Sequence, residues 1–171
     1  MNNSSATIDP AEIAHFDKLA NSWWDPTGPM RALHRLNPLR LSYIRDETCR
    51  HFASDPLASR PLAGLRILDI GCGGGLLSEP LFRLGADLVA ADASAEAIDV
   101  ARHHAAQVEL EVDYRETTAE ILAANSERFD VVVAMEILEH VGDVDLFIES
   151  LGSLISPGGI LFAATLNRTL K

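Results

Sequence analysis

The feature that most constrains this chain is a loop at residues 71–75, in which every residue except Cys72 is glycine. Residues 65–70 before it have β-type character, and residues 76–84 after it predict a helix that Gly85 ends. Glycines permit positive φ and a close approach to a ligand, and the amides of the following helix start point to the same place. The loop therefore predicts a ligand site. The alternative is an ordinary strand–turn–helix corner, which leaves the conformational cost of these glycines unexplained.

Strand-like and helical segments alternate along the chain after Gly64. Strands are predicted at residues 65–70, 87–92, 110–115, 129–135 and 160–166, and helices at 76–84, 94–107, 118–125 and 143–155, with Ser94 as a cap. The run FDVVVAM at 129–135 is almost wholly apolar, as is typical of a parallel strand covered on both faces. The alternation predicts an α/β fold with a Rossmann-like, doubly wound, mainly parallel sheet.

The residues before Gly64 have a different character. Residues 1–9 predict a polar tail, helices are expected at 10–24 and 39–52, and residues 53–64, rich in Pro, Ser and Ala, predict a linker. We therefore divide the chain into an N-terminal tail and helical cap, residues 1–60, and a core, residues 61–171. A length of 171 residues suits one domain that contains both parts.

The formal net charge of −11 disfavours binding to nucleic acid and to anionic lipid. Residues 31–66 depart from this acidic balance, because they hold seven arginines against three acidic side chains. These arginines either form a solvated face or include one that meets an anionic group of a ligand. The N-terminus lacks the apolar core of a secretory signal, and the chain has two cysteines, so we expect a cytoplasmic protein.

Asp92 ends the second predicted strand, 21 residues after Gly71. A carboxylate at that place can accept two hydrogen bonds from ribose hydroxyls, which predicts a cofactor that contains adenosine. A dinucleotide fingerprint requires glycine or alanine where this chain has Leu76 or Ser78, depending on the glycine from which one counts. A nicotinamide-dependent oxidoreductase is therefore the less favoured alternative.

Asp69, Gly71, Gly73 and Gly75 resemble motif I of class I S-adenosylmethionine-dependent methyltransferases, which commonly reads E/D-x-G-x-G-x-G. The strings WWD at 23–25, LHRLNPLR at 33–40 and TLNR at 165–168 further resemble the bacterial ubiquinone biosynthesis O-methyltransferase (UbiG) family. Members of that family continue past TLNR into a helical insert and the last strands of the sheet. The resemblance therefore implies an incomplete C-terminal end for this fold.

The resemblance implies an enzyme that methylates phenolic hydroxyls of polyprenylated aromatic rings, of the 2-polyprenyl-6-hydroxyphenol and 3-demethylubiquinol types. It implies cofactor contacts at Arg40, Asp69, Gly71, Gly73, Gly75, Asp92 and Met135. It also implies peripheral contact with the inner face of a membrane or with a ubiquinone-biosynthesis complex, through the region that follows these residues. The alternatives are a cofactor-binding fragment without a substrate pocket and a methyltransferase that acts on another small molecule.

Glu136, Glu139 and His140 follow the fourth predicted strand, and in a helical turn they share one face. They could hold Mg²⁺, or His140 with Glu136 could act as catalytic residues without metal, or the cluster could be structural. Phe16, Trp23 and Trp24 either close over the cofactor or anchor the N-terminal helix. The remaining histidines are expected to be surface or packing residues: His15, His34, His51, His103 and His104.

Overall fold

A computed structural model describes Thr7, Ile13 and residues 22–165 of the protein. The strands are β1 (Arg66–Ile70), β2 (Asp87–Asp92), β3 (Asp113–Glu116), β4 (Phe129–Met135) and β5 (Ile155–Ala164). The helices are α1 (Arg31–His51), α2 (Ser78–Arg83), α3 (Ala95–Gln107), α4 (Ala119–Ala124) and α5 (Val144–Leu154), with a 3₁₀ turn at Leu138–His140. Apart from Ile13 and residues 22–24, the predicted helix at 10–24 lies outside the described residues, as does Phe16.

The five strands form one parallel sheet in the order β3-β2-β1-β4-β5, which confirms the predicted doubly wound architecture. β1 pairs with β2 on one side and with β4 on the other. The chain therefore reverses its direction of travel across the sheet between β3 and β4. In such sheets ligands bind in the crevice outside the carboxyl ends of the strands at this reversal.

The core has a layer on each face of the sheet, and alternate strand residues supply each layer. Leu68 of β1 packs with helices α4 and α5 on one face, whereas Ile67 packs with α1 and α2 on the other, and both are fully buried. In β4, Val131, Val132 and Val133 are all fully buried, which explains why that strand has no polar alternation.

Helix α1 begins earlier than predicted and contains Pro38, which the sequence analysis placed before the helix. Proline removes one backbone hydrogen bond from a helix interior. Tertiary contacts outweigh that loss, because Ile44 and Thr48 are fully buried on the same helix. Beside the proline, the side-chain amide of Asn37 donates a hydrogen bond to the Leu76 carbonyl at 2.6 Å.

Three further boundaries bear on the site. Ser94 caps α3 as predicted, accepting a hydrogen bond from the Ala97 amide at 3.0 Å. β3 begins three residues later than predicted, and β5 runs directly on from α5 rather than starting at Ile160. The pairing of β5 with β4 shifts register between Phe129 and Val131, so the sequence before Ile160 forms an irregular extension of the strand.

Within the described residues, no helix combines the length and the apolar character needed to cross a membrane.

Candidate functional site

A cavity of about 320 Å³ lies at the carboxyl ends of the central strands. Most of the residues predicted for the site line this cavity, and they are Arg40, Asp69, Gly71, Gly73, Asp92, Met135, Glu136, Glu139 and His140. The exception is Gly75. The fold therefore brings together residues that are separated by up to a hundred positions in the sequence.

The glycine loop has the positive-φ backbone that its composition predicts. Gly71 and Gly73 have φ values of +75° and +52°, and the amides of Gly71 and Cys72 donate to the Ala91 carbonyl at 2.8 and 3.1 Å. A Cβ on Gly71 would collide with Ile137, and one on Gly73 would collide with Trp23. The loop is thus closely packed where it borders the cavity.

Gly75 has a packing role behind the cavity. Its φ is +86°, and a Cβ there would collide with the hydroxyl of Tyr114 on β3. This glycine lets the loop lie directly against β3. Gly75 does not line the cavity, and its contact with a cofactor stays a prediction.

Asp92 is fixed at the end of β2 by two backbone donors. The Gly73 amide donates to its Oδ2 at 2.8 Å, and the Ser94 amide donates to its Oδ1 at 2.9 Å. A carboxylate offers about four lone-pair sites, so it can accept hydroxyl groups beside such backbone bonds. The arrangement ties the glycine loop to the carboxylate that borders the same cavity.

Asp69 is buried beneath the loop, with only 3% of its surface exposed. The Ser78 hydroxyl donates to its Oδ2 at 2.6 Å. Burial raises the pKa of Asp69 to about 6, and the nearby charge of Asp92 adds to this rise. At neutral pH the folded protein therefore keeps a buried, ionised carboxylate with one hydroxyl donor.

Asp69→Asn should stabilise the protein at pH 7 and reduce the pH dependence of its stability. The folded protein binds this proton more tightly than the unfolded chain, whose carboxyl titrates near 3.8. The resulting stabilisation is complete below that value and is lost as the pH rises through 6. We expect a gain of up to about 3 kcal/mol in the free energy of unfolding at pH 7 and little gain at pH 4. Urea unfolding of wild type and variant at both pH values measures this gain. Equal gains at pH 4 and pH 7 would contradict the raised pKa of Asp69.

Arg40 and Glu136 form an ion pair at the mouth of the cavity. Arg40 Nη2 lies 2.6 Å from Glu136 Oε1, with side-chain exposures of 15% and 19%. Glu136 has φ +55°, a conformation that is uncommon outside glycine and that clusters at functional sites. Its amide donates to the Ala164 carbonyl at 2.8 Å, which holds the chain in this turn.

The predicted Mg²⁺ site of Glu136, Glu139 and His140 is not assembled. In the part of the chain that the structure describes, no group of three or more His, Cys, Asp or Glu residues is placed to hold a metal ion. The reason is local, since a helical turn does not begin at Glu136, whose carboxylate pairs with Arg40 instead. Glu139 Oε2 accepts a hydrogen bond from the Thr165 hydroxyl at 2.5 Å. This arrangement does not support the Mg²⁺ site.

Glu120 is a cavity residue that the sequence analysis missed. It lies in the first turn of α4, and its Oε1 accepts a hydrogen bond from the Thr7 hydroxyl at 2.6 Å. Its Oε2 is buried and has no hydrogen-bond partner among the described residues. The topology offered a signal, because the segment after β3 must open onto the same edge of the sheet as Asp92.

Trp23 packs in the core and also lines the cavity. It is 8% exposed, clusters with Met30 and Leu76, and covers Gly73 and Gly74. The N-terminal segment therefore supplies one wall of the site.

Comparisons with known proteins place this fold in a family. A family model described as a methyltransferase domain matches residues 68–163. The chain is 59% identical over 165 residues to the ubiquinone biosynthesis O-methyltransferase of Brucella ovis and 56% identical to that of a Chelativorans species. These matches cover 96% of this chain and 66% and 65% of those proteins, so the chain spans about two thirds of their length.

Solved structures share the fold at low identity. The plantazolicin methyltransferase BpumL, in complex with a triazolic analog and SAH, has a TM-score of 0.64 at 20% identity, over 94% of this chain and 62% of that one. An S-adenosylmethionine-dependent methyltransferase from Clostridium acetobutylicum has a TM-score of 0.64 at 19% identity, over 87% of this chain and 56% of its own. With the match to residues 68–163, these findings show that the chain belongs to the methyltransferase domain family.

Proposed function

We propose that the cavity binds S-adenosylmethionine and that the protein is an O-methyltransferase of ubiquinone biosynthesis. Its substrates would be phenolic hydroxyls of polyprenylated aromatic rings. One observation carries the proposal. The guanidinium of Arg40, the glycine loop at Gly71 and Gly73, and the carboxylate of Asp92, which is placed to accept ribose hydroxyls, all line one cavity. The 59% identity to the Brucella ovis protein supports the choice of pathway.

Each wall of the cavity suits a different part of this cofactor. Arg40 would bind the methionine carboxylate, since a guanidinium can grip a carboxylate with two hydrogen bonds. Asp92 would accept the ribose hydroxyls. Met135 and the Oε2 atom of Glu120 would contact the adenine, because a buried acceptor without a partner among the described residues suits an exocyclic amine.

The ion pair between Arg40 and Glu136 suggests how the site exchanges partners. A cofactor carboxylate at Arg40 would compete with the Glu136 carboxylate, which lies 2.6 Å away. When bound, the cofactor supplies an electrophilic methyl group on a sulfonium. Trp23 and the packed glycine loop would exclude water and position the reactants.

His140 is the proposed general base. It lines the cavity at the end of the 3₁₀ turn, where its amide donates to the Ile137 carbonyl at 2.8 Å. A phenol titrates near pH 10 and an imidazole near 6.5, so a positioned imidazole can take the phenolic proton as the methyl group is transferred. The Mg²⁺ alternative has no part in this proposal, because its predicted ligands do not converge.

We also propose that any contact with a membrane or a biosynthetic complex is made by other parts of the full-length protein. Residues 67–171 hold eighteen acidic and six basic side chains, which disfavours approach to an anionic lipid surface. A polyprenylated substrate nevertheless requires access to a bilayer.

Arg40→Gln should weaken binding of S-adenosylhomocysteine by about tenfold, because a charge-assisted hydrogen bond to the carboxylate is lost. Binding of methylthioadenosine, which lacks that carboxylate, should change less than twofold. Calorimetric titration with both ligands measures the difference. Equal losses for the two ligands would place the carboxylate elsewhere.

The proposed function is tested in two steps. Wild-type protein is titrated with S-adenosylhomocysteine and with NADH, and only the first should bind. The full-length protein is then assayed for methyl transfer to a polyprenylated catechol. Binding without transfer would indicate a cofactor-binding module, and binding of NADH alone would indicate the oxidoreductase alternative.

A further inference from the structure

The indole of Trp24 connects the glycine loop to helix α3. Its Nε1 donates to the Gly74 carbonyl at 2.9 Å, although the two residues are 50 positions apart. Its ring stacks on the imidazole of His104, with centroids 3.4 Å apart and planes 5° from parallel. His104 is thus a packing residue, as expected, but its contact leads to the loop that borders the cavity.

His104 is in turn held by a buried carboxylate. Its Nδ1 lies 2.6 Å from Glu79 Oε1, and the Glu79 side chain is only 5% exposed. Glu79 lies in the first turn of α2, four residues after the last glycine of the loop. The imidazole is therefore fixed between a carboxylate and an indole, which sets the plane on which Trp24 rests.

The other end of this chain of contacts reaches the carboxylate of Asp92. Gly74 is held by Trp24, and its neighbour Gly73 donates to Asp92 at 2.8 Å. A shift of the Gly74 carbonyl would move the Gly73 amide, because the two glycines are adjacent. Neither Trp24 nor His104 lines the cavity, so neither would touch a ligand there.

We propose that Glu79, His104 and Trp24 form a positioning relay that fixes the glycine loop against Asp92 and so sets the affinity for the nucleoside part of the cofactor. The inference rests on the proposed function for its ligand, and on the contacts alone for the order of the loop. The relay would act on binding, since its members lie behind the loop rather than beside the reacting atoms.

Titration with S-adenosylhomocysteine separates this relay from general packing. His104→Ala should weaken binding by about fivefold, which is the size expected for an aromatic stack. His104→Phe keeps a ring for the stack but loses the bond to Glu79, so it should recover only part of this loss. His103→Ala is the matched control, because His103 is exposed on the same helix and contacts Gln107.

A double-mutant cycle identifies the path. Trp24→Phe retains a ring for the stack but loses the N–H that reaches Gly74, so it should also weaken binding. On that background, His104→Ala should add no further loss, whereas independent effects would multiply. Multiplied losses, or His104→Ala binding within twofold of wild type, would overturn the relay.

Hydrogen exchange of the unliganded protein tests the relay without any ligand. His104→Ala and Trp24→Phe should both speed exchange of the amides at 73–75, and His103→Ala should not. Unchanged exchange in a folded His104→Ala variant would reject the relay. If wild type fails to bind S-adenosylhomocysteine, the proposed function fails, and this exchange measurement still decides the relay.

Discussion

Asp92→Ala should reduce the affinity for S-adenosylhomocysteine by about 100-fold or more, because two hydrogen bonds to a charged acceptor are lost. The substitution also leaves the amides of Gly73 and Ser94 without the acceptor that they share. The loop would then lose its tie to β2 at the point where the ribose would lie. The loss should therefore exceed that from removing Arg40, which pairs with Glu136 among the described residues.

Asp99→Ala is the matched control for Asp92. Asp99 lies on α3 and its side chain is 79% exposed, so its removal changes the net charge equally without touching the cavity. Calorimetry should show wild-type affinity for the control, and thermal unfolding should show both variants folded. Retention of affinity within tenfold in Asp92→Ala would move the ribose away from β2.

Gly73→Ala should destabilise the protein and weaken cofactor binding together. Its φ of +52° disfavours a side chain, and the added Cβ would collide with the Trp23 ring. Conformational strain and overpacking together should cost about 2–4 kcal/mol in the free energy of unfolding. Binding of S-adenosylhomocysteine should fall as well, because the Gly73 amide must move from Asp92 or Trp23 must leave the cavity wall.

Two other glycines separate the causes in the same urea unfolding experiment. Gly64 has φ +82° with nothing within 4 Å of an added Cβ, so Gly64→Ala should show the backbone cost alone, about 1 kcal/mol. Gly152 lies inside α5 with open space around it, so Gly152→Ala should stabilise the protein by about 0.5–1 kcal/mol. Equal losses of unfolding free energy in Gly73→Ala and Gly64→Ala would mean that the Trp23 ring moves aside without cost.

The order and types of the core elements were predictable because their signals are local. The apolar run of β4 and the glycine loop each specify one conformation over a few residues. Pro38 inside α1 was not predictable, since distant contacts outweigh a local preference there. The face shared by Glu136 and His140 was also predicted wrongly, because helical spacing assumes a regular backbone and Glu136 adopts a positive φ.

The role of His104 shows a different limit of sequence reasoning. Its place on α3 was predicted correctly, but the partner that gives it meaning comes from the N-terminal segment. A stack between residues 80 positions apart leaves no periodic trace in a single sequence. Glu120 was missed for a similar reason, since its acceptor atom matters only once the cavity exists.

The wall that Trp23 and Arg40 contribute has a consequence for how this protein can be divided. The match to the methyltransferase domain covers residues 68–163, which hold all five strands except the first two residues of β1 and the last residue of β5. A protein shortened to begin at residue 61 would keep the whole sheet and the glycine loop. It would lose the guanidinium of Arg40 at the cavity and the indole of Trp23 that covers the glycine loop. It would also lose helix α1, whose Ile44 is fully buried in the core, so the segment that lines the cavity is part of the folded core as well.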